Sequence, residues 1–594
     1  MNEYDDTVLA WAAVRRVTPS VHFSEPEGES VRSAAAQRLI VVLKFGSSVL
    51  TCADDVPEVV SEIYRTVRTG RRVVAVVSAF AGMTDHLLTE CAAAGVAHDN
   101  VNASAYVALG EETSATALAL ACDRAGLCAI ALKAPELGIV AEGKPLDATP
   151  IALHGGRLDA ALAGHDVAIV PGFVAIDASG RTVLLGRGGS DLTAVFLADK
   201  LGAERVRLLK DVDGVYEGDP AERTSARRFA RLEWARAREV AGRLIQPKAI
   251  DFAATRGLTI EVACLGVSEA TIIDGEGDIP ALPRPRRRLR VALAGLGVVG
   301  GGVAQRLHLR SDRYEIAGAL VRDPARRRDF DWSAVPLTLE PDELLALDAD
   351  VIVDVLSDGL LGARLTEEAL RAGVHVVSAN KQAIAAGFER LREAAREGGT
   401  TLLYSAAVGG AAPILEAVRR ACDSGTDIYA IEGVLSGTVN FVLDLLSEGA
   451  SLDQGLAAAR AAGLAEADAS LDLNGADAAA KLRLIALEAF GEPLRGEHLY
   501  VEPLSGAVAG IARRVRLKQV SRLVQRGGGL RGEVVFEPAH HGPFWALGGD
   551  RNAILITGDD GRLWTARGRG AGRWPTTESV LADLADIHAR PVAG

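Results

Sequence analysis

The sequence predicts two successive α/β units, the second ending in an α+β region. Three observations carry that prediction. From about residue 39 to 266, short apolar runs (39–43, 72–77, 167–170, 206–209, 258–262) alternate with Ala-rich amphipathic stretches, the texture of a largely parallel sheet layered by helices. A segment at 274–288 with Gly-Glu-Gly, three prolines and an arginine cluster then reads as a linker. The alternation resumes at once (289–294, 316–321, 351–355, 374–377). Its regular spacing is lost beyond about residue 425, where a strand-rich patch follows at 532–536 and 553–557. The expected layout is a tail over 1–38, a first domain over 39–268 and a linker over 269–288. A second α/β domain over 289–424, with a return segment at 563–594, and an α+β domain over 425–562 complete it.

Composition narrows the function classes. The chain has 594 residues, a formal charge of −13, 48% hydrophobic and 24% charged residues, all ordinary for a globular protein. The acidic total argues against a nucleic-acid partner. No uninterrupted apolar run of about 18 residues exists, so no membrane span is expected. The six cysteines form no C-x-x-C pair, and the first 30 residues hold acids and no apolar core. Together these predict a cytoplasmic protein. Only nine lysines stand against 56 arginines. A surviving lysine therefore marks a position where a guanidinium is a poor substitute.

The first strand runs directly into Lys44-Phe45-Gly46-Ser47-Ser48. A lysine at a strand end, beside small residues with free amides, can cradle phosphate. The second strand runs into Ser78-Ala79-Phe80-Ala81-Gly82-Met83-Thr84-Asp85. Two further loops carry Gly110-Glu111-Glu112-Thr113-Ser114 and Leu185-Gly186-Arg187-Gly188-Gly189-Ser190-Asp191. The last combines close backbone approach with a cation, a hydroxyl and a carboxylate. With Lys210-Asp211-Val212-Asp213-Gly214-Val215-Tyr216-Glu217-Gly218-Asp219-Pro220 and Ile245-Gln246-Pro247-Lys248-Ala249, residues 39–266 resemble the aspartate kinases of the amino-acid kinase family. The resemblance implies an αβα sandwich using ATP with Mg²⁺. It implies Lys44 and Asp191 near the transferred phosphoryl group, and Thr84, Glu111, Arg187 and Ser190 at the amino-acid substrate. Gly46, Asp211, Tyr216 and Lys248 would serve the nucleotide. Three departures stand out. Ser47-Ser48 replaces Gly-Thr-Ser and is also similar to glutamate 5-kinases. Lys210 replaces a usual Thr or Ser, and Gln246 a usual His.

In the second half, Gly295-Leu296-Gly297-Val298-Val299-Gly300 follows a strand and opens a helix, the context a Rossmann dinucleotide fingerprint requires. The next strand ends at Val321-Arg322-Asp323. Arg322, with Arg326, Arg327 and Arg328 nearby, favours NADP(H) over NAD(H). Ser378-Ala379-Asn380-Lys381 resembles the Thr-Ala-Asn-Lys segment of homoserine dehydrogenases. So do Gly433-Val434-Leu435-Ser436-Gly437-Thr438-Val439-Asn440, the segment around Glu466, Asp472 to Asp477 with Lys481, and Gly568-Arg569-Gly570-Ala571-Gly572. Asp477 and Lys481, four apart in a helical stretch, share one face. The resemblance implies substrate contacts at Gly437 and Thr438, and cofactor contacts at Ser378, Lys381 and Gly570 with the fingerprint. Lys381 and Lys481 are both candidates for hydroxyl contact and proton transfer. Glu466 and Asp477 would orient the substrate ammonium and the lysines. Ser405 stands where relatives place a Glu beside a monovalent-cation site, and Ala469 replaces a common Pro; metal-ligating residues are left unassigned.

The arrangement resembles fused aspartate kinase–homoserine dehydrogenases, without room for the ACT regulatory pair between the halves. It implies two activities: phosphorylation of L-aspartate, and interconversion of aspartate 4-semialdehyde and homoserine. The alternative is a dehydrogenase fused to a non-catalytic or glutamate-type kinase domain. Small-molecule substrates are the expected partners, with a homodimer through the dehydrogenase half. Five lysines, Lys44, Lys210, Lys248, Lys381 and Lys481, fall in the motifs. Arginine is expected to be damaging at Lys44, Lys381 and Lys481, and tolerated at Lys133, Lys144, Lys200 and Lys518.

Overall fold

Val-rich runs with both faces apolar form the centre of the first sheet, because a parallel sheet covered by helices buries both faces. The computed structural model of the chain describes residues 38–96, 100–220, 222, 226–242, 244–282, 287–328, 332, 335–465, 469–526, 529–539 and 544–590. The chain divides into two compact units at residues 285 and 286.

In the first unit a nine-stranded sheet has the strand order Ile279–Pro280, Phe229–Glu233, Thr271–Asp274, Ile260–Cys264, Arg205–Lys210, Ile40–Phe45, Arg72–Val77, Val167–Pro171, Ala129–Ala131. From Ile260–Cys264 to Ala129–Ala131 every pairing is parallel. Arg72–Val77 is buried throughout. Lys44 lies opposite Val76 on one side and Leu208 on the other, so the ends of three adjacent strands deliver Lys44, Ser78 and Lys210 to one edge. Loops at that carboxyl edge are where open α/β sheets bind ligands. A separate four-stranded sheet, Asp147–Leu153, Ile139–Lys144, Val174–Ile176 and Thr182–Leu184, was not anticipated from the alternation.

The expected linker over 269–288 is corrected. Its first part supplies two strands of the nine-stranded sheet, Thr271–Asp274 and Ile279–Pro280. Thr271 is fully buried: its Oγ1 accepts from the Val215 amide at 2.9 Å and donates to the Phe229 carbonyl at 2.6 Å. The Gly-Glu-Gly punctuation marks the connection between these strands.

The second unit opens with a six-stranded, wholly parallel sheet in the order Leu337–Thr338, Tyr314–Leu320, Leu289–Ala294, Val351–Asp354, His375–Ser378, Leu402–Leu403. A second six-stranded sheet follows, in the order Leu499–Val501, Gly529–Pro538, Leu517–Arg526, Ile428–Val434, Arg551–Gly558, Leu563–Arg569. All its pairings are antiparallel except the first. Leu563–Arg569 therefore belongs to this sheet, and the return segment starts later than residue 563. The return itself is the helix Arg573–His588, whose Val580, Leu584 and Ile587 join the core beneath Leu289, Val291 and Leu293.

Lys518 is also corrected. It is 2% exposed, and its ammonium donates to Asn440 Oδ1 at 2.5 Å and Asp444 Oδ1 at 3.0 Å. Asn440 and Asp444 in turn hold the backbone of Gly549 at 2.8 Å each. A guanidinium is larger than an ammonium and would have to enter this buried position, so arginine is expected to be damaging there.

Candidate active sites

Gly188 adopts φ 76° and starts the helix Gly189–Leu201, so that Asp191 falls in its first turn. The carboxylate is buried between two lysines from strand ends. Lys44 Nζ lies 2.8 Å from Oδ1, and Lys210 Nζ lies 3.2 Å from Oδ1 and 3.1 Å from Oδ2. The Gln246 amide donates to Oδ2 at 3.2 Å. Burial opposes ionisation of Asp191, but the two ammonium charges overcome it and hold the carboxyl below its ordinary range. Burial, together with the charge on Lys44, brings Lys210 down to about 8. A Cβ on Gly46 would lie 2.8 Å from Lys44 Nζ, so glycine lets the ammonium fold over this turn.

Glu111 is buried beside this cluster. Its Oε1 accepts the Ala79 amide at 3.2 Å, and its Oε2 has no partner among the described residues. Burial pushes its carboxyl up to about 8, against the Ala79 hydrogen bond and the Lys44 charge. A carboxyl raised in the folded state binds its proton more tightly there than in the unfolded chain. Its stabilising contribution is complete below the unfolded value near 4.5 and is lost as pH rises through about 8. Glu111→Gln is expected to flatten that loss; thermal melts of both proteins from pH 5 to 9 would show parallel curves if Glu111 contributed nothing.

Ser190 Oγ accepts from Ser78 Oγ at 3.1 Å, and Ser114 fastens the Ser78 carbonyl at 2.8 Å. Phe173, facing Gly189, holds φ 47°, a strained backbone that a packed site sustains. Arg187 is exposed and paired with Asp85 at 2.9 Å, next to the partly exposed Thr84. Tyr216 donates to Asp213 Oδ1 at 2.6 Å, while Asp211 is exposed. Lys248 pairs with Asp147 at 2.6 Å, and Gln246 Nε2 donates to the Arg187 carbonyl at 2.9 Å. Lys44, Glu111, Ser190 and Asp191 are buried, whereas Thr84, Arg187, Asp211, Tyr216 and Lys248 are more exposed, and the Tyr216 hydroxyl is held by Asp213, outside the buried group. Lys210 and Asp147 were not among the expected site residues. The scarcity of lysine was the signal for Lys210; nothing in the sequence marked Asp147.

In the second unit Gly475, at φ 76°, starts the helix Ala476–Phe490, with Asp477 in its first turn and Lys481 one turn on. Lys481 Nζ lies 3.0 Å from Asp477 Oδ2 and donates to the Leu435 carbonyl at 2.7 Å. Lys381, first residue of the helix Lys381–Glu397, meets Asp477 Oδ1 from the other side. Burial opposes ionisation of Asp477, yet the two lysines hold it down at about 2. The loop before Lys381 is braced. Asn380 accepts the Ala383 amide at 3.1 Å and donates to the Asp358 carbonyl at 3.0 Å. Ser378 Oγ donates to the buried Asp354 at 3.1 Å. Glu466 lies outside the described residues.

At the fingerprint, Gly295 takes φ 106°, and a Cβ on Gly300 would strike the Gly295 carbonyl. A Cβ on Gly297 would meet nothing within 4 Å, which leaves open space over the start of the helix Val298–Leu309, with Val298 exposed and Val299 partly buried. The residues present fit a dinucleotide pyrophosphate. Arg322 is exposed without an ion pair among the described residues, whereas Asp323 Oδ1 is turned into its own loop by the Ala325 amide at 2.9 Å. Gly437 approaches the Asp550 carbonyl, Thr438 donates to the Leu464 carbonyl at 2.8 Å, and Gly570 packs on Asn552. Ser405 does not fit a cation ligand set that relies on a carboxylate. Its Oγ is buried without a partner among the described residues, and its amide donates to Asp583 at 3.2 Å.

Three family models match the chain: the amino acid kinase family over residues 39–263, the homoserine dehydrogenase NAD binding domain over 295–405, and homoserine dehydrogenase over 413–585. The homoserine dehydrogenase of Pseudomonas aeruginosa is 33% identical over 316 residues, which cover 50% of this chain and 72% of that protein. The chain belongs to the homoserine dehydrogenase family. It carries an amino acid kinase domain ahead of the dehydrogenase. The homoserine dehydrogenase of Synechocystis is 34% identical over 318 residues, covering 50% of this chain and 73% of that one. A crystal structure of the Thiobacillus denitrificans homoserine dehydrogenase aligns at 30% identity and a TM-score of 0.46, over 51% of this chain and 73% of that one. Among the described residues no helix is long and apolar enough to cross a membrane.

Proposed function

We propose that the chain is bifunctional. The kinase unit phosphorylates the side-chain carboxylate of L-aspartate with ATP to give 4-phospho-L-aspartate. The dehydrogenase unit interconverts L-aspartate 4-semialdehyde and L-homoserine with NADP(H). The observation that carries the kinase half is the buried Lys44–Asp191–Lys210 cluster at the strand ends. A carboxylate nucleophile needs no strong base, so alignment and charge neutralisation suffice. Glu111 would meet the substrate ammonium and ionise as it arrives. Arg187 would exchange Asp85 for the substrate α-carboxylate, with Thr84 and Ser190 as neighbours. Asp211, Tyr216, Lys248 and Gly46 would serve the nucleotide. Mg²⁺ is expected to enter with the ATP phosphates.

In the dehydrogenase unit the reduced nicotinamide, when bound, supplies the hydride. Lys481, locked between Asp477 and the Leu435 carbonyl, holds the substrate oxygen. Lys381, with a side chain 34% exposed, can be reprotonated from water, and we assign it the proton given to the nascent alkoxide. Asp477 pairs with both ammonium groups, and the exposed Arg322 beside an occupied Asp323 favours the 2′-phosphate. A cytoplasmic homodimer joined through the dehydrogenase half belongs to the same reading.

A hydroxamate assay with ATP and either aspartate or glutamate tests the kinase assignment. Product with aspartate alone is expected. Product with glutamate alone would make this a glutamate-type kinase, and none with either would reduce the unit to a scaffold.

A further inference from the structure

The buried cluster does not balance. Two ammonium groups share one carboxylate, with Lys44 and Lys210 both on Asp191 Oδ1, and no second carboxylate pairs with either lysine among the described residues. All three side chains are nearly inaccessible. Buried charge is tolerated when it is paired. Here one positive charge is left over, and Glu111, kept protonated by burial up to about 8, does not cancel it. The excess is visible on Lys210, the ammonium that burial and the Lys44 charge make easier to discharge.

A second feature is the origin of Lys210. It ends the strand Arg205–Lys210, which lies directly beside Ile40–Phe45, so its stem emerges one strand away from Lys44 on the same sheet edge. An uncharged side chain at this position would leave Lys44 alone with Asp191 and the cluster neutral. The lysine is therefore what converts a neutral pair into an anion-seeking site. In a chain with nine lysines, it is not explained as a generic basic residue.

We infer that Lys210 is a second phosphate-contacting catalytic lysine, which with Lys44 binds the terminal phosphoryl group of the nucleoside triphosphate. The inference rests on the kinase reading above. On it, an aspartate carboxylate oxygen forms a bond to the γ-phosphorus, the bond from that phosphorus to the β,γ-bridging oxygen breaks, and the bridging oxygen leaves with its electron pair on ADP. Lys44 and Lys210 neutralise the oxygens of the group in flight, and Asp191 holds the two ammonium groups apart in the position they need. With the anion bound, the surplus charge is cancelled.

The test compares MgADP with Mg·AMP-PNP, its non-hydrolysable triphosphate counterpart, by isothermal titration of the full chain. The wild type is expected to bind AMP-PNP more tightly than ADP by about 10- to 100-fold, the scale of a charge-assisted contact. Lys210→Thr removes the ammonium and keeps a hydroxyl at the strand end. It should leave ADP affinity unchanged and bring the ratio close to one, while Lys210→Arg should retain part of the preference. A Lys210→Thr protein with the wild-type ratio overturns the inference, as does a wild type that binds both nucleotides equally. If the threonine variant loses ADP binding altogether, Lys210→Gln, which keeps a polar stem beside Asp191, is read in its place by the same criterion. A wild type that binds neither nucleotide overturns the kinase reading itself, and the inference with it.

Discussion

Asp191→Ala is expected to lower kinase turnover by about 10²- to 10³-fold, the usual cost of removing a preorganised charge from a reaction centre. The carboxylate is the common partner of Lys44 and Lys210, and it also takes the Gln246 amide. Without it two buried ammonium groups face each other unpaired. One must lose its proton or turn away, and the cradle for the phosphoryl group is lost either way. Breaking a buried pair also costs stability, on the order of 3–5 kcal/mol. The variant must therefore be shown to fold, by its circular dichroism and by an unchanged dehydrogenase rate. Because the second unit has its own core, its turnover should not respond. A folded Asp191→Ala protein with wild-type kinase activity would remove Asp191 from the mechanism.

Lys381→Ala is expected to lower semialdehyde reduction by about 10²- to 10⁴-fold in kcat, the range for losing a positioned proton donor. Lys381→Arg should not restore it, because a guanidinium does not give up its proton. Asp477 would still be held ionised by Lys481, so the site should stay assembled and KM should change less than kcat. A Lys381→Arg enzyme near wild-type turnover would transfer the proton role to Lys481. The two lysines differ in a way that only the fold reveals. Both are paired to Asp477, but Lys481 is sealed under the Leu435 carbonyl, whereas Lys381 keeps access to solvent.

Most of the architecture was legible because each unit obeys local rules. Apolar runs of strand length, each followed by a helix pattern, specify a parallel sheet. The strand–glycine–helix context identified the fingerprint at Gly295 to Gly300. The errors have physical causes. Residues 271–280 looked like a linker because glycine and proline mark tight edge connections as readily as flexible segments. Residues 563–569 were given to the return segment because sequence pattern does not disclose pairing partners. Arginine was expected to be tolerated at Lys518 because a buried lysine with two oxygen partners has no signature in sequence.

The site was legible to a different degree. Lys44, Asp191, Lys381, Asp477 and Lys481 were named from motifs, and the fold gathers them into two lysine–carboxylate–lysine clusters, the first buried and the second open to solvent at Lys381. That likeness between the two units was invisible beforehand. The first cluster joins residues 44, 191 and 210, and the second joins 381, 477 and 481. Lys210 was noted as a departure from the resemblance and was given no role, although lysine scarcity marked it.

The central claim is that one chain houses two independent catalytic sites. Its most direct test is a single set of preparations, wild type, Asp191→Ala and Lys381→Ala, each assayed for aspartate-dependent ATP turnover and for NADPH-dependent reduction of aspartate 4-semialdehyde. The account predicts both activities in the wild type, loss of the first alone in Asp191→Ala, and loss of the second alone in Lys381→Ala. A folded wild type that turns over no ATP with aspartate, or a single substitution that abolishes both activities without unfolding the chain, would contradict it.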